Sequence, residues 1–354
     1  MRNATTRPST ETFATSEPPP PVYTAVVLDR TGGPEVLRLE ELPTPVPGPG
    51  EVLVRVEAAG VAFAQVMMRH GTYPYAPPFP FTPGAEVVGQ VVAVGPDVPD
   101  WSVGERVAAF SSVGGYAELA LVKAHSLVSV PGGLDAVEVA ALPMNYVTAH
   151  QLLRRVAKVR PGETVLVHGA GGGVGTALLQ LAQLAGVTVV GTESPRKLAL
   201  VRALGAHALD YTKGDVVAQV HGLVGPVDVV LDPIGGDHVL LSARALRAGG
   251  RLVVYGHSAP GAATREGMAT LSARMDAWNA DPAGIRALGY SLGVLYRDSP
   301  EVIRDDLARL VALLAERRIR PVVAERLPLR DVRRAHEKLE FEGVPGKLVL
   351  VPTR

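Results

Sequence analysis

Short apolar, β-branched runs closed by glycine or proline fill the first third of the chain. Residues 23–28, 51–57 and 86–94 have the length and residue types of strands, and segments such as Pro45-Val46-Pro47-Gly48-Pro49-Gly50 separate them. Strands at this spacing predict a β-rich, barrel-like domain. Near Leu142 the pattern changes. Residues 145–158 read as a helix, and Pro161-Gly162-Glu163 turns the chain into a new rhythm. Apolar runs at 187–192, 208–211, 227–232 and 251–256 predict strands, while 195–204 and 238–246 predict helices between them. This alternation predicts a parallel, doubly wound sheet. Residues 257–299 carry no legible period. Residues 305–316 predict an amphipathic helix, and a last helix–strand unit, 331–340 then 346–351, follows. No internal repeat is visible.

Residues 165–175 read Val-Leu-Val-His-Gly-Ala-Gly-Gly-Gly-Val-Gly and lead into the helix-forming Thr176-Ala177-Leu178-Leu179-Gln180-Leu181-Ala182. Strand, tight turn and helix in this order make a dinucleotide-binding βα unit. Gly172 lets the backbone approach a pyrophosphate, and Gly175 lets the helix pack close to the strand. The amides at the helix start face the anion, which the helix dipole favours. Ala170 stands where the first glycine of G-x-G-x-x-G belongs. At the end of the following strand the signals conflict. Glu193 suits a ribose 2′-hydroxyl, whereas Ser194, Arg196 and Lys197 suit a 2′-phosphate. Glu193 and Lys197 also have the spacing of a solvated i,i+4 ion pair.

With 354 residues, 47% of them apolar, the chain is long enough for about two domains and a large core. Formal net charge is zero, so charge offers no case for nucleic acid or an anionic membrane. No apolar stretch reaches the ~20 residues of a membrane span. Met1 to Pro20 is Ser/Thr/Pro-rich and lacks the apolar segment of a secretory signal. A disordered tail over 1–21 and a cytoplasmic location are therefore expected. The absence of cysteine removes disulfides, thiol catalysis and every cysteine-based zinc site.

Further motifs give a resemblance to a known family. Phe81-Thr82-Pro83-Gly84-Ala85-Glu86-Val87-Val88-Gly89 resembles a T-P-G-x-[DE]-x-x-G turn, and Gly104-Glu105-Arg106-Val107 resembles G-D-R-V. Pro143-Met144-Asn145-Tyr146-Val147-Thr148-Ala149 resembles P-x-x-Y-x-T-A, and Asp232-Pro233-Ile234-Gly235-Gly236 and Gly346-Lys347-Leu348-Val349-Leu350 fit as well. Together they resemble the medium-chain dehydrogenase/reductase superfamily from about Val22 onward. The zinc-free quinone oxidoreductase branch matches best, its alanine at the start of the glycine run included. Zeta-crystallin-like and vesicle-amine-transport-like proteins belong to that branch, as do enoyl reductases of fatty-acid and polyketide synthesis. The resemblance implies an α/β fold. A GroES-like β-rich catalytic domain spans 22–144 with a return segment at 299–354, and a Rossmann domain is inserted at 145–298. It also implies a homodimer acting on a small-molecule substrate, with no nucleic-acid or membrane partner.

By the same resemblance, Thr148, Gly172, Gly173, Val174 and Gly175 line the pyrophosphate and nicotinamide ribose. Asn145 contacts substrate or ribose, and Gly256 joins the cofactor-binding set. In this branch a hydroxyl, a lysine and a tyrosine commonly share the 2′-phosphate. They map to Thr192 or Ser194, Lys197 and Tyr211, so NADPH is expected rather than NADH, with no metal. Without zinc, a conjugated acceptor is the easier target, because hydride on its β-carbon spreads charge into an enolate that hydrogen-bond donors can hold. Tyr73, in Gly71-Thr72-Tyr73-Pro74, is the expected proton or hydrogen-bond donor; a phenol with its ordinary pKa near ~10 is protonated at neutral pH. Tyr75 and His70 are secondary candidates.

Gly60-Val61-Ala62-Phe63-Ala64-Gln65-Val66 departs from the family's G-V-N-x-x-D-x, with Ala62 for the Asn and Gln65 for the Asp. Gln65 keeps hydrogen-bonding capacity and is expected to orient the substrate. The expected activity is NADPH-dependent, metal-free reduction of an α,β-unsaturated carbonyl or quinone. Two alternatives stand beside it. One is an enoyl reductase or tailoring enzyme of polyketide assembly. The other, motivated by the missing Asn and Asp, is an NADPH-binding sensor or crystallin-like protein with little turnover.

Overall fold

The computed structural model describes residues 17–352. Most of the expected disordered tail, residues 1–16, lies outside them. Residues 17–21 run beside the first strands, where Thr44 N–H donates to the Pro21 carbonyl and Arg55 donates to that of Glu17.

Val22–Leu28 and Leu37–Pro43 pair antiparallel, and bridges from Ala25 to Ala117 and from Leu28 to Phe81 tie this ribbon to a seven-stranded sheet. Glu51–Val61 is the spine of that sheet, since Glu86–Val94, Leu119–Lys123 and Lys347–Val351 all pair with it antiparallel. Val323–Pro328 adds parallel to Lys347–Val351. Residues beyond 320 thus complete a sheet begun before residue 60, and they carry Lys347 back against Glu86.

The middle of the chain forms six parallel strands. In spatial order they are His207–Asp210, Thr188–Glu193, Thr164–His168, Val227–Asp232, Leu246–Val254 and Arg286–Gly289. Their apolar runs reflect burial on both faces. Val165, Val167, Val229 and Leu231 face one core, and Leu166, Val190, Val230 and Leu252 face the other. Strand order reverses between Thr164–His168 and Val227–Asp232, which opens a crevice at their carboxyl ends, the ligand position of doubly wound sheets.

Several boundaries differ from the sequence expectation. The helix expected at 145–158 is a run of π and α turns, Leu142–Tyr146, Val147–Gln151 and Leu152–Val156. The strand expected at 251–256 is Leu246–Val254, its first half masked by Gly249 and Gly250, the former at φ +69. The helix expected from 305 starts at Pro300, a residue suited to a first helical position. The illegible segment holds helix Arg265–Asn279, the sixth strand and helix Leu292–Asp298. Among the described residues, no helix is long and apolar enough to cross a membrane.

Two buried histidines make the fold acid-sensitive. The His168 ring has one hydrogen bond, Nδ1 to the Thr192 Oγ1 at 2.9 Å, and neither ring nitrogen of His336 has a hydrogen-bond partner. Burial lowers the His168 pKa to about 4, with His238 adding to the shift and Asp232 opposing it. Burial lowers that of His336 to about 3, reinforced by Arg69 and His70. Both values lie below the unfolded value near ~6.5, so in acid the unfolded chain binds protons that the folded chain refuses. Stability is fully present above pH ~6.5 and is lost as pH falls toward the folded values, by up to ~1.4 kcal/mol per pH unit per histidine. Denaturant unfolding at neutral pH and at about pH 5 is expected to show this loss, and His336→Leu to reduce the difference. An equal difference in that variant would remove His336 from the account.

Candidate active site

The glycine turn follows from its contacts. Gly169 takes φ +64 at the end of Thr164–His168, a left-handed conformation that suits glycine. Helix Gly173–Leu184 then starts against the strand, and a Cβ on Gly175 would sit 2.3 Å from the Gly169 carbonyl oxygen. A Cβ on Gly173 would sit 2.5 Å from Asn145 Nδ2. The amides of Gly173, Val174 and Gly175 open the helix with no carbonyl four residues back to receive them. They form an anion cradle at the crevice. Gly346 N–H donates to the Gly171 carbonyl at 3.1 Å, which docks the returning segment on the turn.

A cavity of about 380 Å³ lies beyond the cradle. Tyr73, Asn145, Thr148, Gly172, Gly173, Val174, Gly175 and Gly256 all line it. Tyr75 and Ala62 line it too, and Phe63, Met67, Phe110, Met144, Met268 and Leu292 make much of the wall apolar. The Gly256 position needs glycine, because a Cβ there would lie 2.2 Å from the Pro233 oxygen. Tyr73 stacks edge-on against Tyr75, and burial raises its phenol pKa, with Tyr75 adding to the shift. His70 faces an adjoining chamber of about 960 Å³ rather than this cavity. Its Nε2 meets Glu340 at 2.7 Å, and Arg69 pairs with the same carboxylate.

Five expected residues do not line the cavity, and two of them are turned into the interior. Gln65 is fully buried, and its Oε1 accepts the Ala62 N–H at 3.0 Å, so it caps the helix Phe63–His70 instead of facing substrate. Thr192 is turned inward onto His168. Ser194, Lys197 and Tyr211 sit outside the cavity, at the end of Thr188–Glu193, and Tyr211 is half-exposed. Glu193 is buried. Its carboxylate accepts from Gly171 N–H at 2.9 Å and Ser194 N–H at 2.8 Å and pairs with Lys197 at 3.1 Å. It braces the glycine turn and is not presented to a ribose.

Four cavity residues were not expected at the site, although Pro233 and Lys347 lie inside motifs that carry the family resemblance. Lys347 lines the wall and donates to Glu86, both side chains being almost fully buried. Tyr255, Pro233 and Tyr290 line it as well. The Pro233 loop is held by Asp232, which accepts from Ile234 N–H, Gly235 N–H, His238 and Ser242. Burial works to raise the Asp232 pKa, but the His238 and Ser242 hydrogen bonds and the two nearby imidazoles outweigh it and leave it at about 2.

Comparison with known proteins agrees with this architecture. Residues 48–132 match the family model for the alcohol dehydrogenase GroES-like domain, and residues 204–350 match that for zinc-binding dehydrogenase. The chain is 34% identical over 345 residues to the mouse synaptic vesicle membrane protein VAT-1 homolog, covering 94% of this chain and 84% of that protein. It is 36% identical over 326 residues to a Pseudomonas aeruginosa quinone oxidoreductase, covering 91% and 97%. The crystal structure of Escherichia coli quinone oxidoreductase complexed with NADPH superposes with a TM-score of 0.83 at 30% identity, covering 93% of this chain and all of that one. The chain belongs to the medium-chain dehydrogenase/reductase superfamily, in its quinone oxidoreductase branch. Although one superfamily model is described as zinc-binding, the residues of this member do not fit that metal. The chain has no cysteine, and the described residues hold no group of three His, Cys, Asp or Glu able to bind a metal ion.

Proposed function

We propose that this protein reduces an α,β-unsaturated carbonyl or a quinone with NADPH, without a metal. The observation that carries the proposal is one apolar cavity with the anion cradle at one end and the Tyr73 phenol on its wall. The glycines that leave no room for a Cβ and the first-turn amides of the helix fit a dinucleotide pyrophosphate. When bound, the cofactor supplies a hydride. The protein does the rest. The cradle and Thr148 position the nucleotide, the apolar wall excludes water, and Tyr73 donates a hydrogen bond, then a proton, to the oxygen that becomes negative. An acceptor whose charge spreads over a conjugated system needs no Lewis acid, which agrees with a donor set unable to hold zinc. The inward turn of Glu193 supports NADPH over NADH. Ser194 and Tyr211 lie at the strand end, where a 2′-phosphate would sit, and Lys197, now paired with Glu193, stands beside them.

The test follows loss of reduced-nucleotide absorbance with a panel of quinones, enones and saturated ketones. Turnover with the conjugated acceptors, a preference for NADPH over NADH and indifference to a chelator are expected. No affinity for NADPH, or complete inhibition by the chelator, would overturn the reading.

A further inference from the structure

The carboxylate of Glu193, at the end of Thr188–Glu193, collects three donors. Its Oε2 accepts from Gly171 N–H at 2.9 Å and meets Lys197 Nζ at 3.1 Å, and its Oε1 accepts from Ser194 N–H at 2.8 Å. Two of the three are backbone amides, so the carboxylate is held whichever way the lysine points. Lys197 is the exchangeable member, an ammonium on a flexible stem. The pair is mostly buried, with 6% of the Glu193 side chain and 15% of the Lys197 side chain exposed. Packing around it is close, since a Cβ on Gly171 would lie 3.0 Å from both Glu193 Oε2 and Lys197 Cβ. Solvated ion pairs are worth little, but separating a largely buried one strands a charge. Lys197 closes the turn Pro195–Lys197 directly after the strand, where a cation would meet a nucleotide 2′-phosphate. That phosphate and Glu193 are then two anions with a claim on one ammonium. Arg196, one residue earlier, is exposed and has no ion pair among the described residues.

We propose that Glu193 is a specificity-determining residue that withholds Lys197 from the 2′-phosphate of NADPH. This rests on the proposed function and deepens it. The phosphate can recruit the ammonium only by drawing it off a carboxylate that cannot follow, and that carboxylate then stands uncompensated beside a second anion. Affinity for NADPH is held down as a result. NADH is untouched, because a 2′-hydroxyl needs no cation. The phosphate is left to Ser194, Tyr211 and the free Arg196. NADPH keeps its preference, but a smaller one than the strand end would give with Lys197 unpaired. Glu193 thus acts on cofactor choice without touching the ribose.

The test measures dissociation constants for NADPH and NADH, from the fluorescence of the reduced ring, in the wild-type protein, Lys197→Met, Glu193→Gln and the double variant. Glu193→Gln removes the charge and keeps one carbonyl for the turn amides. It is expected to tighten NADPH by about three- to tenfold and to leave NADH within about twofold. Lys197→Met is expected to weaken NADPH by less than about fivefold in the wild-type background, where the lysine is already engaged. With Gln at 193 the same change should cost more than about tenfold. Should Glu193→Gln fail to fold, Lys197→Met alone decides. A loss of fivefold or more from that single change overturns the proposal. NADPH affinity that Glu193→Gln leaves unchanged or lowers also overturns it. So does a loss of NADH affinity beyond twofold, which would make Glu193 a ribose contact. These results overturn this inference alone, whereas a wild-type protein with no affinity for NADPH overturns the proposed function itself.

Discussion

Replacing Tyr73 with phenylalanine is expected to lower kcat for an enone by about 10²-fold or more while leaving NADPH affinity intact. Tyr73 lines the cavity and is partly buried, and that burial raises its pKa, so its phenol keeps its proton across the neutral range. A donor on an apolar wall is worth more than one in open water, because less solvent competes for the developing oxyanion. Its ring packs against Tyr75 at 5.9 Å between centroids, and a Cβ on Gly293 would meet its hydroxyl at 2.8 Å. The hydroxyl is therefore positioned between the catalytic and dinucleotide-binding halves. Tyr290 cannot replace it, because its proton is directed at Gln151. Steady-state kinetics and an NADPH titration on the variant decide the matter. Undiminished turnover would remove Tyr73 from the chemistry. Since its pKa is raised, Tyr73 should impose no loss of activity below pH ~10.

Glu86→Ala is expected to destabilise the protein by about 3–5 kcal/mol, because it strands the Lys347 ammonium in a site with almost no solvent. The surroundings offer no room to relax. A Cβ on Gly60 would lie 2.6 Å from both the Glu86 carboxyl and Lys347 Cε. Burial raises the Glu86 pKa, against the attraction and hydrogen bond of Lys347 and the Met144 amide. The paired Glu86→Met, Lys347→Leu variant should recover most of the loss, since an apolar pair of similar volume pays no desolvation cost. Urea unfolding of the three proteins measures this. A single variant within about 1 kcal/mol of the wild type would show that the lysine reaches water.

The parts legible in the sequence share one property: their signal is local. The glycine turn announced itself because a strand, a run of glycines and a helix follow within 20 positions, and the sites of Gly172 and Gly175 can be read from backbone sterics alone. Strands at 164–168, 188–193 and 227–232 are apolar on both faces, so period and length sufficed. The sixth strand escaped because it is four residues long and carries Arg286, and the helix before it buries only Leu271, which leaves no stripe to detect.

Which hydrogen-bond partner each buried polar side chain takes was decided by the tertiary structure. Gln65 and Thr192 both have the chemistry for a cofactor or substrate contact, yet one found the Ala62 amide and the other His168. Glu193 suits a ribose hydroxyl by type, yet it meets the Gly171 amide. The Tyr290–Gln151–Asp306 hydrogen bonds join residues 139 and 155 positions apart, so no window along the sequence contains them. Periodicity encodes which face of an element is buried, because that depends on neighbours in the chain. Desolvation favours a partner for a buried donor or acceptor, and whether one is within reach, and on which element, depends on what the fold brings alongside.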